Sequence, residues 1–148
     1  MAFVWKALGT PARIVKPLNG DLGAGLSIID FPAFQLTDRR HLAELLRCDS
    51  AIYVADEDRQ TLASVEVVHA IVRRPVLGVV LNKVIKRPSR DFLRQYGRLG
   101  EVYVVRFDEK MAVHRAVGVP PYRVRSIATL DMAKAAVKLH KCANVGKR

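Results

Sequence analysis

Two hydrophobic periods alternate along the chain. Short apolar runs at 26–30, 51–55, 76–81 and 101–105 predict strands, with a briefer candidate at 12–15. Between them the apolar positions recur every three or four residues. Leu42, Leu45 and Leu46 predict a helix over 39–46. Leu62, Val65, Val68 and Val72 share one face of a helix over 61–72, with Asp58 as its N-cap and Arg73-Arg74-Pro75 as its stop. Ser89 is placed to cap a helix from Arg90 to about Leu99 whose apolar face is Phe92, Leu93, Tyr96 and Leu99. Asp108 begins a short helix ending at Gly118, and Pro120-Pro121 enforces an extended link. Ser126 then caps a last helix to about Lys141, with Ile127, Leu130, Ala133 and Val137 expected inward.

Strands alternating with single helices predict βαβ units. The expected fold is α/β, a mainly parallel doubly wound sheet flanked by helices. One domain is expected over 1–148, with 142–148 as a frayed tail. The length of 148 residues and the 50% hydrophobic content suit a folded domain. No apolar run approaches the roughly 20 residues that span a bilayer, and Met1 to Lys6 has no signal-peptide pattern. Cys48 and Cys142 form no CxxC, and the four histidines stand apart, so reduced thiols, no metal site and a cytoplasmic location are expected.

In sheets of this kind ligands bind beyond the carboxyl ends of the strands. Three predicted strand ends carry polar groups: Asp30, Asp56-Glu57-Asp58, and Asn82-Lys83. Ile28-Ile29-Asp30-Phe31-Pro32-Ala33 resembles the Walker B and switch II stretch of the ParA/MinD family of deviant-Walker P-loop ATPases. Val79-Val80-Leu81-Asn82-Lys83 resembles that family's strand ending in Asn-Lys. Val105 to Asp108, followed by Val113, Ala116, Gly118 and Pro120, resembles its late loop. The three matches fall in the family's order and cover about residues 26–141. The resemblance implies a truncated P-loop NTPase-like fold. It makes Asp30 and Pro32 remnants of the magnesium side of a nucleotide site, Asn82 the adenine-reading residue, and Asp108 part of the late loop. No GxxxxGK[ST] occurs in the sequence, however. The glycines of 19–25 precede a predicted strand, carry Asp21 and lack a lysine, which reads as a tight turn. Phosphoryl transfer depends on a backbone cradle and positioned charge. Its absence points to a pseudo-ATPase with no cofactor. ATP and Mg²⁺ enter only if a phosphate loop is missing from a fragment or supplied in trans.

Charge then shifts attention to the second half. The net charge is +11. Residues 1–74 hold nine basic and nine acidic side chains, whereas 75–148 hold sixteen and five. Arg90, Arg94 and Arg98 recur at i, i+4 and i+8, extended by Lys86 and Arg87. Lys134, Lys138 and Lys141 form a second row, preceded by Arg123 and Arg125. Such rows suit phosphate contacts without sequence reading, and few aromatics interleave for single-strand stacking. The expected role is a DNA- or partner-binding adaptor, whose partner is nucleic acid or an acidic protein, and the ParA/MinD resemblance adds DNA partition or positioning. A homodimer formed without nucleotide stays open. An unrelated flavodoxin-like binding domain is the remaining alternative, although no Ser/Thr-rich phosphate loop follows the first strand.

Overall fold

A computed structural model of the chain describes residues 27–31, 39–119 and 123–145. Eight elements follow one another there: α1 (Arg39–Arg47), β1 (Ala51–Ala55), α2 (Arg59–Val72), β2 (Val76–Val84), α3 (Arg90–Gly97), β3 (Val102–Arg106), α4 (Glu109–Ala116) and α5 (Ile127–Val145). The three strands form an all-parallel sheet in the order β1-β2-β3. Consecutive parallel strands need a crossover, and α2 and α3 supply the two crossovers.

Both crossover helices cover one face of the sheet. Ala55, Val79 and Leu81 pack there with Leu62 of α2 and Tyr96 of α3, and Phe92, Leu93 and Leu99 close the edges. The central strand is most deeply buried, which is why β2 reads as an uninterrupted apolar run. Tyr96 is fully buried, and its hydroxyl donates to the Asp56 carbonyl at 3.1 Å. Burial, and then the nearby carboxylates of Asp56, Asp58 and Glu66, push its phenol up to about 12. The α5 helix covers the other face, where Ala135 and Leu139 pack on Tyr103 with Ile52, Leu77 and Val80 beside them. Gly78 permits this close approach. A Cβ there would lie 2.5 Å from Tyr103 Cε2 and 3.0 Å from Leu139 Cδ2.

The cap of α2 forms as expected, with the Asp58 carboxylate accepting from the Thr61 N–H at 2.9 Å. Arg73 ends the helix in the left-handed conformation (φ 50°) and donates its N–H to the His69 carbonyl. Ser126 also caps as expected, its Oγ accepting from the Thr129 N–H at 3.1 Å. Ser89 does not. Its backbone has the cap conformation, but its side chain makes no capping bond. Its N–H instead donates to a Glu57 carboxylate oxygen at 2.6 Å, tying the β2–α3 loop to the end of β1.

Three expectations are corrected. Residues 27–31 form no strand, and Ile28 is exposed, so the run at 26–30 adds nothing to the sheet over its described part. Leu26 and the candidate strand at 12–15 lie outside the described residues. The last helix runs past its expected end near Lys141, to Val145. Its buried face is also different: Ala128, Asp131, Ala135 and Leu139 turn inward, while Ile127, Leu130 and Val137 are exposed. The α5 helix carries apolar side chains on two stripes, so periodicity alone does not choose between them. The choice is made by a charge pair. Asp131, 8% exposed, accepts from Arg106 Nε at 2.7 Å, from Arg106 Nη2 at 2.8 Å and from the Arg106 N–H at 3.3 Å.

This pair gives a pH prediction. Hydrogen bonding from the Arg106 guanidinium holds the Asp131 carboxyl below the usual carboxylate range, against the opposing effect of burial. A carboxylate depressed in the folded state stabilises above its unfolded pKa, near 4, and that contribution is lost as pH falls through the folded value. Thermal melts between about pH 2 and pH 6 should therefore fall less steeply below about pH 4 for Asp131→Asn than for the parent, with the variant less stable at neutral pH. Parallel curves would contradict this role.

Candidate nucleic-acid interface

The carboxyl ends of the three strands bring together the β1–α2, β2–α3 and β3–α4 loops. Strand β2 runs beyond the expected end at Leu81 to Val84, and its pairing with β3 shifts between Leu81 and Val84. Asn82 and Lys83 lie in that irregularity. Lys83 has φ 57°, and Lys86 three residues on has φ 65°. Left-handed backbone is costly for non-glycine residues and is often retained at functional sites. Here it holds two exposed lysines, Lys83 in the irregular end of β2 and Lys86 in the loop that follows.

From this loop the positive charge continues onto α3. Lys86, Arg87, Arg90, Arg94 and Arg98 are all exposed, with Arg98 forming the helical C-cap. The apolar face of the same helix is buried as expected, so the basic residues have nowhere to point but outward. Eight residues of helix separate Arg90 from Arg98, about 12 Å, or roughly three to four nucleotide steps along one DNA strand. The row is not uniform, however. Asp91 receives Arg94 Nη2 and Arg59 Nη2, each at 2.8 Å, with Gln95 Nε2 also at 2.8 Å. The Arg94 hydrogen bond, followed by the charges of Arg59 and Arg94, holds Asp91 below the usual carboxylate range. Arg59 also lies over the Phe92 ring at 5.4 Å. Arg94 is thus engaged by Asp91. Lys86, Arg87, Arg90 and Arg98 form no ion pair among the described residues.

The second lysine row behaves differently. Lys138 pairs with Glu101 at 3.3 Å and lies over the Tyr103 ring at 5.7 Å. Lys134 lines a groove beside β3, and Lys141 is exposed further along α5. Arg123 and Arg125 are exposed before α5 begins. The α5 row thus flanks the β3 edge and does not continue the α3 surface.

The expected nucleotide-site remnants lie on three separate segments of the chain. Asp30 is exposed on an irregular segment, and Pro32 lies outside the described residues. Asn82 is half-buried, and its Oδ1 accepts from the neighbouring Lys83 N–H at 2.9 Å, so the group expected to read adenine bonds its own loop. Asp108 caps two helices at once: Oδ1 accepts from the Lys110 N–H and Oδ2 from the Ile127 N–H, each at 3.0 Å. Among the described residues no hydrogen bond or ion pair joins Asp30 to Asn82 or Asp108. Nor do the described residues contain a cluster of three or more His, Cys, Asp or Glu able to hold a metal ion. No described helix is long and apolar enough to cross a membrane.

Asp108→Ala removes one capping bond from each helix, with Ser126 still capping α5, and caps of this kind contribute roughly 0.5–2 kcal/mol. It should lower the urea midpoint and speed amide exchange at Lys110 and Ile127 together. Faster exchange at only one helix would contradict the shared cap.

No family model, curated protein or solved structure matches the chain. Sequence reading missed three parts of this surface: the left-handed lysines, the Asp91 clamp and the Glu57 tie. The Asp91–Arg94 pair has a visible i, i+3 spacing. The lysine backbone and the tie between loops have no local signal.

Proposed function

We propose that this chain is a non-enzymatic adaptor that binds the phosphate backbone of nucleic acid through the β2–α3 loop and the outer face of α3. The observation that carries the reading is the exposed set of Lys86, Arg87, Arg90 and Arg98, free of ion pairs among the described residues, on a loop and helix whose inner face packs against the sheet through Phe92, Leu93 and Tyr96. Phosphate contacts of this kind bind duplexes of any sequence and weaken steeply with salt, because each neutralised phosphate releases counterions.

The ParA/MinD-like descent belongs to the same proposal. It is supported by the order of the three motifs in the sequence and is consistent with a parallel α/β sheet. Within such a family the chain would act as a pseudo-ATPase, in which partition or positioning rests on binding and not on nucleotide turnover. The sequence contains no phosphate loop, and Asn82 and Asp108 are committed to bonds within the fold. The deciding experiment measures anisotropy of labelled random-sequence duplexes with the parent chain and with a variant stripped of the four unpaired charges. Binding that ignores duplex sequence and is lost in the variant supports the proposal. Equal binding by both overturns it.

A further inference from the structure

Among the described residues β3 has a strand neighbour on one side only. Groups alternate along it. The Glu101 carbonyl and the Phe107 N–H bond toward β2. The N–H and C=O groups of Val102 and Val104 therefore face outward, as does the Arg106 N–H. Asp131 covers the Arg106 N–H and so closes the carboxyl end of the edge. What is left open is a groove of about 210 Å³ along Val102 to Val104, walled by Asp131, Lys134 and Lys138.

The charges of the groove are selective. Asp131 is neutralised by Arg106, and Glu101 by Lys138 together with a Tyr103 hydroxyl bond. Lys134 is exposed on the rim, with Lys141 further along the same helix. The opposite side of the edge is apolar, since Val102 and Val104 belong to the cluster that contains Leu99 and the α3 side chains.

The geometry points to an extended acidic segment of a partner protein, added to β3 as a fourth strand. Its backbone would pair with the outward groups of Val102 and Val104. Side chains of a strand alternate between faces, so carboxylates on one face would meet Lys134, beside the Lys138–Glu101 pair, and apolar side chains on the other would meet the Val102–Val104 side. Main-chain bonds supply affinity in this mode, and the alternating side chains supply specificity. A second copy of this chain fits less well. A two-fold axis through β3 would bring the two α5 lysine rows together on the same face of the joined sheet.

The test uses a fluorescein-labelled heptapeptide alternating glutamate and valine, titrated into the parent chain by anisotropy. Binding is expected, with a lysine–valine peptide at least tenfold weaker. N-methylation of alternate backbone amides on the strand-facing side should abolish it in the unmodified protein. Lys134→Glu with Lys138→Gln should weaken it tenfold or more. Val104→Pro removes one outward N–H that β2 does not use, a substitution edge strands tolerate, and should likewise abolish it while duplex binding persists. Undiminished binding of the N-methylated peptide overturns the proposal. So does displacement of the peptide by a duplex that binds equally well to the Lys134/Lys138 variant, or a concentration-dependent dimer in sedimentation that Val104→Pro dissolves.

Discussion

Tyr96→Ala lowers the unfolding free energy by about 3–5 kcal/mol, the largest single-site loss expected in this fold. The ring is fully buried among Ala55, Leu62, Val79, Leu81 and Val84, where α3 meets the sheet. Truncation opens a cavity bounded by the rigid central strand, and such a site collapses poorly. The Asp56 carbonyl also loses its donor. Small domains have total stabilities of about 5–15 kcal/mol, so the variant should unfold at much lower urea. Tyr96→Phe separates the two contributions. It keeps the ring and loses one neutral hydrogen bond, for a cost of about 1 kcal/mol. If alanine cost no more than phenylalanine, the packing described around Tyr96 would be wrong.

The second large effect concerns binding. Changing Lys86, Arg87, Arg90 and Arg98 together to alanine should weaken duplex DNA on the order of 100-fold at low salt, because four phosphate contacts disappear. Circular dichroism and the urea midpoint should change little, since all four side chains are exposed. Arg94→Ala is the internal contrast. Arg94 is engaged by Asp91, and the Asp91–Arg59 contact would survive its removal. Its loss should therefore weaken binding far less than loss of Arg90 or Arg98. An equal effect of Arg94→Ala would mean that the clamp opens on binding.

The central βαβαβ core was legible in the sequence because its signals are local and agree. An apolar run bounded by Pro75 marks β2, Asp58 marks the start of α2, and Phe92, Leu93, Tyr96 and Leu99 sort cleanly onto one side of α3. Legibility failed where the outcome depended on residues far apart in the chain. The α5 helix could have buried either of two stripes, and its contact with Arg106, 25 positions away, decided for Ala128, Ala135 and Leu139. Lys138 looked like part of a free basic row until Glu101 and Tyr103 took it up. Asn82 and Asp108 stood at strand ends as a nucleotide site would need, yet their acceptors are used by the backbone N–H groups of Lys83, Lys110 and Ile127. A polar residue at a strand end serves the fold and a ligand with the same atoms, so sequence position alone does not distinguish the two roles.

Salt dependence of duplex binding by the unmodified chain is the most direct test of the account. Four phosphate contacts predict a slope of log K against log salt concentration of about −3.6, or roughly a 150-fold loss between 50 and 200 mM salt. The slope should be the same for duplexes of unrelated sequence. Absence of binding at 50 mM salt, or a slope near zero, would contradict the proposal that this basic surface holds nucleic acid.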